Sequence, residues 1–76
     1  MPHIEIMCFP GRTGEQKEKC AEAVTKAVAE TMGCAETSVS VAIKEVAQED
    51  WKEKVWDARI MADEKVLYKK PGYTCD

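Results

Sequence analysis

Residues 13–33 read TGEQKEKCAEAVTKAVAETMG, the pattern of an amphipathic helix with a cap at each end. Thr13 and Gln16 have the spacing of a capping box, in which each side chain bonds the other residue's backbone N–H. Gly33 supplies the left-handed residue that commonly ends a helix. The residues predicted to form its buried face recur at spacings of three and four: Cys20, Val24, Ala27, Val28, Thr31 and Met32. The charged residues predicted to face solvent are Glu15, Lys17, Glu18, Glu22 and Lys26.

Segments of alternating polarity lie on both sides of this helix. Residues 3–9, HIEIMCF, and residues 38–46, SVSVAIKEV, place apolar residues at every second position. A period of two is typical of a strand with one buried face, and Pro10 and Gly11 end the first strand. A helix of about twenty residues between two strands is a crossover, which makes the strands parallel. The pattern therefore predicts a β-α-β unit.

The last third of the chain predicts a second helix. Asp50 and Glu53 have the spacing of another capping box, and Lys69 and Lys70 suit a helix C-terminus that Pro71-Gly72 then stops. Its expected apolar stripe is Val55, Trp56, Ile60, Val66 and Leu67. We therefore expect an α/β (α+β) fold, a β-α-β unit with parallel strands and a second C-terminal helix, in a single domain over residues 1–76.

The composition narrows the class of protein. The 76 residues are 45% hydrophobic and 33% charged, with a net charge of −3, which is typical neither of disordered nor of membrane proteins. A slightly acidic chain without a basic stripe is not expected to bind nucleic acid. The first residues lack the basic start and apolar stretch of a secretory signal. We expect a cytoplasmic protein that binds neither membranes nor nucleic acid.

The cysteines and the histidine do not form a metal-binding pattern. Zinc sites use closely spaced ligand pairs, whereas the chain has no CxxC pair and His3 is its single histidine. The four cysteines are Cys8, Cys20, Cys34 and Cys75. Cytosolic thiols stay reduced, so we expect no disulfides, and the ligand spacing predicts no metal site.

A sheet of only two parallel strands leaves both of its edges open. Such small parallel sheets are seldom stable, and a chain of this size buries only roughly 60% of the surface that its unfolded form exposes. With neither disulfides nor metal expected, a second copy of the chain is the remaining means of covering the sheet. We expect an obligate homo-oligomer, a dimer at least, whose active site can draw on more than one chain.

Pro2 is the residue that most directly indicates chemistry. Initiator methionine is normally removed before a small residue, and the loss of Met1 would leave a secondary amine at the start of the first strand. Partial burial and a neighbouring cation both lower the pKa of such an amine towards neutrality, where a group is best suited to proton shuttling. The plain alternative is a chance Met-Pro start in which Pro2 only begins a strand.

Several segments resemble the 4-oxalocrotonate tautomerase family. They are MPHIEI at 1–6, FPGRTGEQK at 9–17 and TSVSVAIKEV at 37–46. The later segments that look most like its PptA-like branch are DW at 50–51, VWDA at 55–58 and KKPGY at 69–73. The resemblance covers essentially the whole chain.

This resemblance implies a complete functional scheme. It implies a β-α-β fold and an intracellular enzyme without metal or cofactor. The mature chain would begin at Pro2, whose nitrogen would move a proton in keto–enol tautomerisation. The family's larger assembly is a hexamer and the PptA-like branch is dimeric, so a homodimer is favoured, with a hexamer as the alternative.

The resemblance also implies substrate-binding roles for three residues. Arg12 matches an arginine that binds the substrate carboxylate, a task that suits the planar guanidinium. Trp51 matches a phenylalanine that walls the pocket. Ser40 stands where the family prototype has a second arginine, so a dicarboxylate substrate is not expected. We expect a 2-hydroxy-2-alkenoate with one carboxylate, such as an aryl enolpyruvate with its ring against Trp51.

Other functions stay open at this point. A hydratase or dehalogenase of the same family would combine protonated Pro2 with Glu49 or Glu53 as the water-activating base, although Glu53 is already expected to cap a helix. A covalent aldol-type reaction would pass through an iminium on Pro2. A dimeric ligand-binding module would use no catalysis at all. Further donors that the sequence does not place are His3, Lys44 and Arg59.

Overall fold

A computed structural model describes residues 1–75 and forms two compact units, residues 1–45 and the part of the chain from Val46 onward. The first unit contains strand β1, His3–Cys8, helix α1, Gly14–Met32, and strand β2, Ser40–Glu45. A short 3₁₀ turn, Glu36–Ser38, leads into β2. The strands pair in parallel, with His3 opposite Ser40 and Cys8 opposite Glu45. The predicted β-α-β unit is confirmed.

Both predicted caps of α1 are present. The Gln16 N–H donates to Thr13 Oγ1 at 3.1 Å, and the Thr13 N–H donates to Gln16 Oε1 at 2.8 Å. Gly33 ends the helix at φ 70° and ψ 49°, a left-handed conformation that glycine adopts without a steric penalty. The helix therefore begins and ends where its sequence predicts.

The strand register divides the sheet into two faces. Ile4 and Ile6 of β1 lie opposite Val41 and Ile43 of β2, and all four are half-buried. Glu45 belongs to the same face because side chains alternate along a strand. It forms an ion pair with Lys17 of α1 at 3.0 Å, so α1 covers this face. The opposite face is more exposed and carries His3, Glu5, Met7, Ser40, Ala42 and Lys44.

The buried side of α1 differs from the prediction. Its half-buried residues are Lys17, Ala21, Val24, Thr25, Val28 and Ala29. Of the predicted buried set, four are exposed instead: Cys20, Ala27, Thr31 and Met32. Two strands about 4.8 Å apart are narrower than a helix of roughly 10 Å diameter. The sheet therefore covers only one stripe of α1, and Lys17, which was expected in solvent, lies within it.

The second unit is helical, but its helix is shorter than predicted. Its main element is a π-helix, Lys52–Met61, between 3₁₀ turns at Gln48–Asp50 and Glu64–Val66. The expected continuation to Lys70 is wrong. The N–H groups of Ala62 and Asp63 both donate to the Arg59 carbonyl, which closes the helix well before Pro71-Gly72.

The predicted capping box at the start of this helix is also wrong. Trp51 is the N-cap, with φ −59° and ψ −47°, and no side chain caps the helix. N-cap residues normally have an extended backbone, whereas here a 3₁₀ turn runs directly into the π-helix. Asp50 pairs instead with Lys54 at 3.4 Å, and Glu53 has no capping role.

The two units differ in how much they bury. In the second unit, Val55 and Trp56 are only 4% and 8% exposed, whereas Val66, expected on the same apolar stripe, is 65% exposed. In the first unit, all of whose residues 1–45 are described, no side chain reaches that degree of burial. Within residues 1–75, no helix has the length and apolar character needed to cross a membrane.

Candidate active site

Pro2 lies at the start of β1 and is half-buried. Its carbonyl accepts a hydrogen bond from the Ser40 N–H at 3.2 Å, so the ladder between the strands holds this residue in place. Met1 is fully exposed, and its removal would take away no packing. Removal would convert the Pro2 nitrogen from a tertiary amide, which is not basic, into a secondary amine.

His3 and Ser40 form a polar pair next to Pro2. The residues are partners in the parallel register, and His3 Nδ1 lies 2.6 Å from Ser40 Oγ. Either group can donate in this bond, depending on the imidazole tautomer. The sequence did not place His3, because two residues 37 positions apart meet only through the register of the strands.

Arg12 lies in the loop that follows β1. Its Nη1 donates to the Phe9 carbonyl at 3.2 Å, and its side chain is exposed. Phe9 stands at the far end of β1 from Pro2, and six strand residues at about 3.3 Å each separate the two ends by roughly 20 Å. One chain therefore does not bring Arg12 to Pro2.

The other candidate donors and bases are distributed over both units. Lys44 pairs with Glu5 at 3.1 Å on the exposed face of the sheet, whereas Arg59 lies in the π-helix. Glu49 belongs to the 3₁₀ turn before that helix, and Glu53 to its first turn. Among residues 1–75, no three metal-binding side chains lie together as a possible metal site.

Trp51 is half-buried in the second unit. Its Nε1–H donates to the Tyr73 hydroxyl at 3.2 Å. The Tyr73 ring in turn lies 5.3 Å from the ring of Trp56, centroid to centroid, at 47°. The sequence pointed to Trp51 but not to Tyr73, whose one signal was its place in the KKPGY segment.

Known proteins match this chain over nearly its full length. A tautomerase named Tautomerase PptA from Enterobacter sp. (strain 638) is 43% identical over 75 residues, covering 97% of this chain and 99% of the relative. The protein of the same name from Cronobacter sakazakii is 40% identical over 74 residues, covering 96% and 97%. That of Escherichia coli strain K12 / DH10B is 36% identical over 75 residues, covering 97% and 96%.

A family model and a solved structure agree with these relatives. The model described as tautomerase enzyme matches residues 2–53. The crystal structure of YwhB, a homologue of 4-oxalocrotonate tautomerase, superposes with a TM-score of 0.60 at 40% identity, covering 62% of this chain and 77% of that one. With its parallel β-α-β unit, the chain belongs to the tautomerase family of 4-oxalocrotonate tautomerase and its PptA-like relatives.

Proposed function

We propose that this chain is a cofactor-free keto–enol tautomerase whose catalytic group is the amine of Pro2, freed by removal of Met1. Family membership supports a tautomerase-type isomerase that acts on a small molecule. The observation that supports Pro2 as the catalytic group is its fixed position at the start of β1, where its carbonyl accepts a hydrogen bond from the Ser40 N–H at 3.2 Å. The family match that begins at residue 2 agrees with a mature chain that starts there.

The proposed reaction moves one proton away from oxygen and delivers one to carbon. The neutral Pro2 nitrogen takes the proton of the enol hydroxyl, and the freed electron pair forms the ketone C=O bond. The electrons of the C=C bond then take a proton from the charged Pro2 amine, which returns to its neutral form. No co-reactant is consumed, and one group serves as base and then as acid.

Arg12 is proposed to bind the substrate carboxylate from a neighbouring copy of the chain. A guanidinium matches a carboxylate with two parallel hydrogen bonds, but Arg12 is bonded near Phe9, at the far end of β1 from Pro2. An oligomer could bring the Arg12 of one copy to the Pro2 of another. We propose a homodimer, with a hexamer as the alternative, in the cytoplasm, where thiols such as the four free cysteines stay reduced.

The proposed substrates are 2-hydroxy-2-alkenoates and aryl enolpyruvates with one carboxylate. Ser40 is uncharged and its hydroxyl is bonded to His3, so no second cation stands at that position for a second carboxylate. Trp51 offers an indole face that is half-buried and suits an aromatic substituent through offset or tilted ring contact.

The test is an ultraviolet assay of phenylenolpyruvate conversion with protein whose intact mass shows loss of Met1. We expect Pro2→Ala to lose most of the activity, because alanine supplies a primary amine in a different position. Pro10→Ala, which changes an exposed loop proline, is the matched control and should keep it. Full activity of Pro2→Ala, or of protein that retains Met1, would contradict the proposal.

A second candidate is a hydratase or dehalogenase reaction at the same proline. It is favoured by one observation, since Glu53 makes no capping bond and is available as a water-activating base. Turnover of a 3-haloacrylate, with no turnover of enols, would favour this reaction. A ligand-binding module without catalysis would instead show neither activity, and blocking its N-terminus would change nothing measurable.

A further inference from the structure

The C-terminal segment makes two aromatic contacts through one residue, Tyr73. Its hydroxyl accepts a hydrogen bond from Trp51 Nε1–H at 3.2 Å. Its ring lies against Trp56, with 5.3 Å between centroids and 47° between planes. All three residues belong to the second unit.

These contacts connect a buried ring to a more accessible one. Trp56 is only 8% exposed and lies on the π-helix next to Val55, so its ring is fixed by packing. Tyr73 is 47% exposed, and its ring packs against the ring of Trp56. The indole N–H is the single polar group of the Trp51 side chain and can only donate, so its bond to the Tyr73 hydroxyl favours one orientation of the Trp51 ring.

We propose that Tyr73 is a positioning residue that holds the indole of Trp51 in one orientation and thereby sets a preference for aromatic substrates. This inference rests on the proposed role of Trp51 as the surface that receives the substrate's ring. A ring held in advance loses less rotational freedom when an aryl group packs on it. An alkyl substituent makes little ring contact and gains little from the same orientation.

Tyr73→Phe is the informative variant, because it keeps the ring against Trp56 and removes only the hydroxyl. The first readout is the indole N–H signal of Trp51 in a proton–nitrogen NMR spectrum. We expect this signal to move and to exchange faster with solvent in Tyr73→Phe. Tyr68→Phe is the matched control, because Tyr68 is fully exposed, and it should leave the signal unchanged. An unmoved Trp51 signal in Tyr73→Phe overturns the proposal.

The second readout is binding of two keto acids, phenylpyruvate and pyruvate. Tyr73→Phe should raise the Kd of phenylpyruvate by roughly three- to tenfold, because the released Trp51 ring must then be immobilised on binding, and leave that of pyruvate unchanged. KM for phenylenolpyruvate should rise equally while kcat stays close to wild type. The proposal is overturned if Tyr73→Phe raises the Kd of both keto acids equally, or raises neither.

A double-variant comparison shows whether Tyr73 acts through Trp51. In a Trp51→Phe background the hydroxyl of Tyr73 has lost its donor, so adding Tyr73→Phe should change phenylpyruvate binding no further. Additive losses contradict the positioning role. Since binding and NMR do not depend on turnover, failure of the proposed tautomerase shows separately, as wild-type protein that converts no enol.

Discussion

Individual residues next to Pro2 determine what the proposed site can recognise. Pro2 is held by the backbone of Ser40, and the side chain of Ser40 is bonded to His3. This end of the exposed sheet face therefore offers a hydrogen-bonded imidazole and hydroxyl instead of a guanidinium. Arg12 is the cation that we propose for the substrate carboxylate, and it stands at the other end of β1.

Replacing Arg12 by alanine should lower kcat/KM for a monocarboxylate enol by roughly 10- to 100-fold, the worth of a charge-assisted hydrogen-bond pair. The kcat/KM of Arg12→Lys should lie between those of wild type and Arg12→Ala, because lysine keeps the charge but not the planar fork. Steady-state kinetics with phenylenolpyruvate give the measurement. An Arg12→Ala enzyme that matches wild type would remove Arg12 from the site.

Replacing Ser40 by arginine should add turnover of a dicarboxylate enol, because it places a guanidinium near Pro2. Monocarboxylate turnover should change less. The comparison is the ratio of kcat/KM for the two substrates. Thr37→Arg, at an exposed position in the preceding 3₁₀ turn, adds the same charge elsewhere and should leave the ratio unchanged. An unchanged ratio in Ser40→Arg would show that this position does not face the substrate.

At the scale of elements, short-range signals predicted the ends of α1 correctly and those of the second helix wrongly. The capping box and Gly33 bound α1 because their geometry depends only on neighbouring backbone. In the second helix, Asp50 pairs with Lys54 instead of capping. The helix also ends earlier than predicted, where backbone N–H groups donate to the Arg59 carbonyl. A wider π-helical turn also breaks the 3.6-residue repeat from which its apolar stripe was predicted.

Thr13→Ala should lower the free energy of unfolding by about 1 kcal/mol, because it leaves an N–H of the first turn of α1 without its acceptor. Thr37→Ala changes an exposed threonine outside α1 and should have little effect. Urea unfolding at one fixed protein concentration gives both values. Equal stability of wild type and Thr13→Ala would mean that the cap contributes nothing measurable.

At the scale of the whole molecule, the first unit lacks a closed core. None of residues 1–45 is buried to the degree of Val55 or Trp56. The two-stranded sheet has open edges, and the α1 residues beyond its width are exposed, among them Ala27 and Met32. Another copy of the chain can cover both features, in keeping with the oligomeric assembly that the family supports.

We therefore expect the thermal midpoint of unfolding to rise with protein concentration, by several degrees for each tenfold increase, since association stabilises only the folded chain. Calorimetry over a dilution series, with light scattering at each concentration, is the measurement. Activity should fall at the dilution at which the oligomer dissociates. A midpoint that does not depend on concentration, in a monomer that keeps activity, would contradict the shared site.

The sequence by itself determined the β-α-β order, the parallel strands, the ends of α1 and the family, because these depend on local periodicity, caps and matched segments. Tertiary structure alone decided which stripe of α1 is covered, where the second helix ends and which distant side chains meet. The pairs His3–Ser40 and Trp51–Tyr73 are 37 and 22 residues apart. Such contacts arise from strand register and from the folding back of a tail, and no local pattern records either.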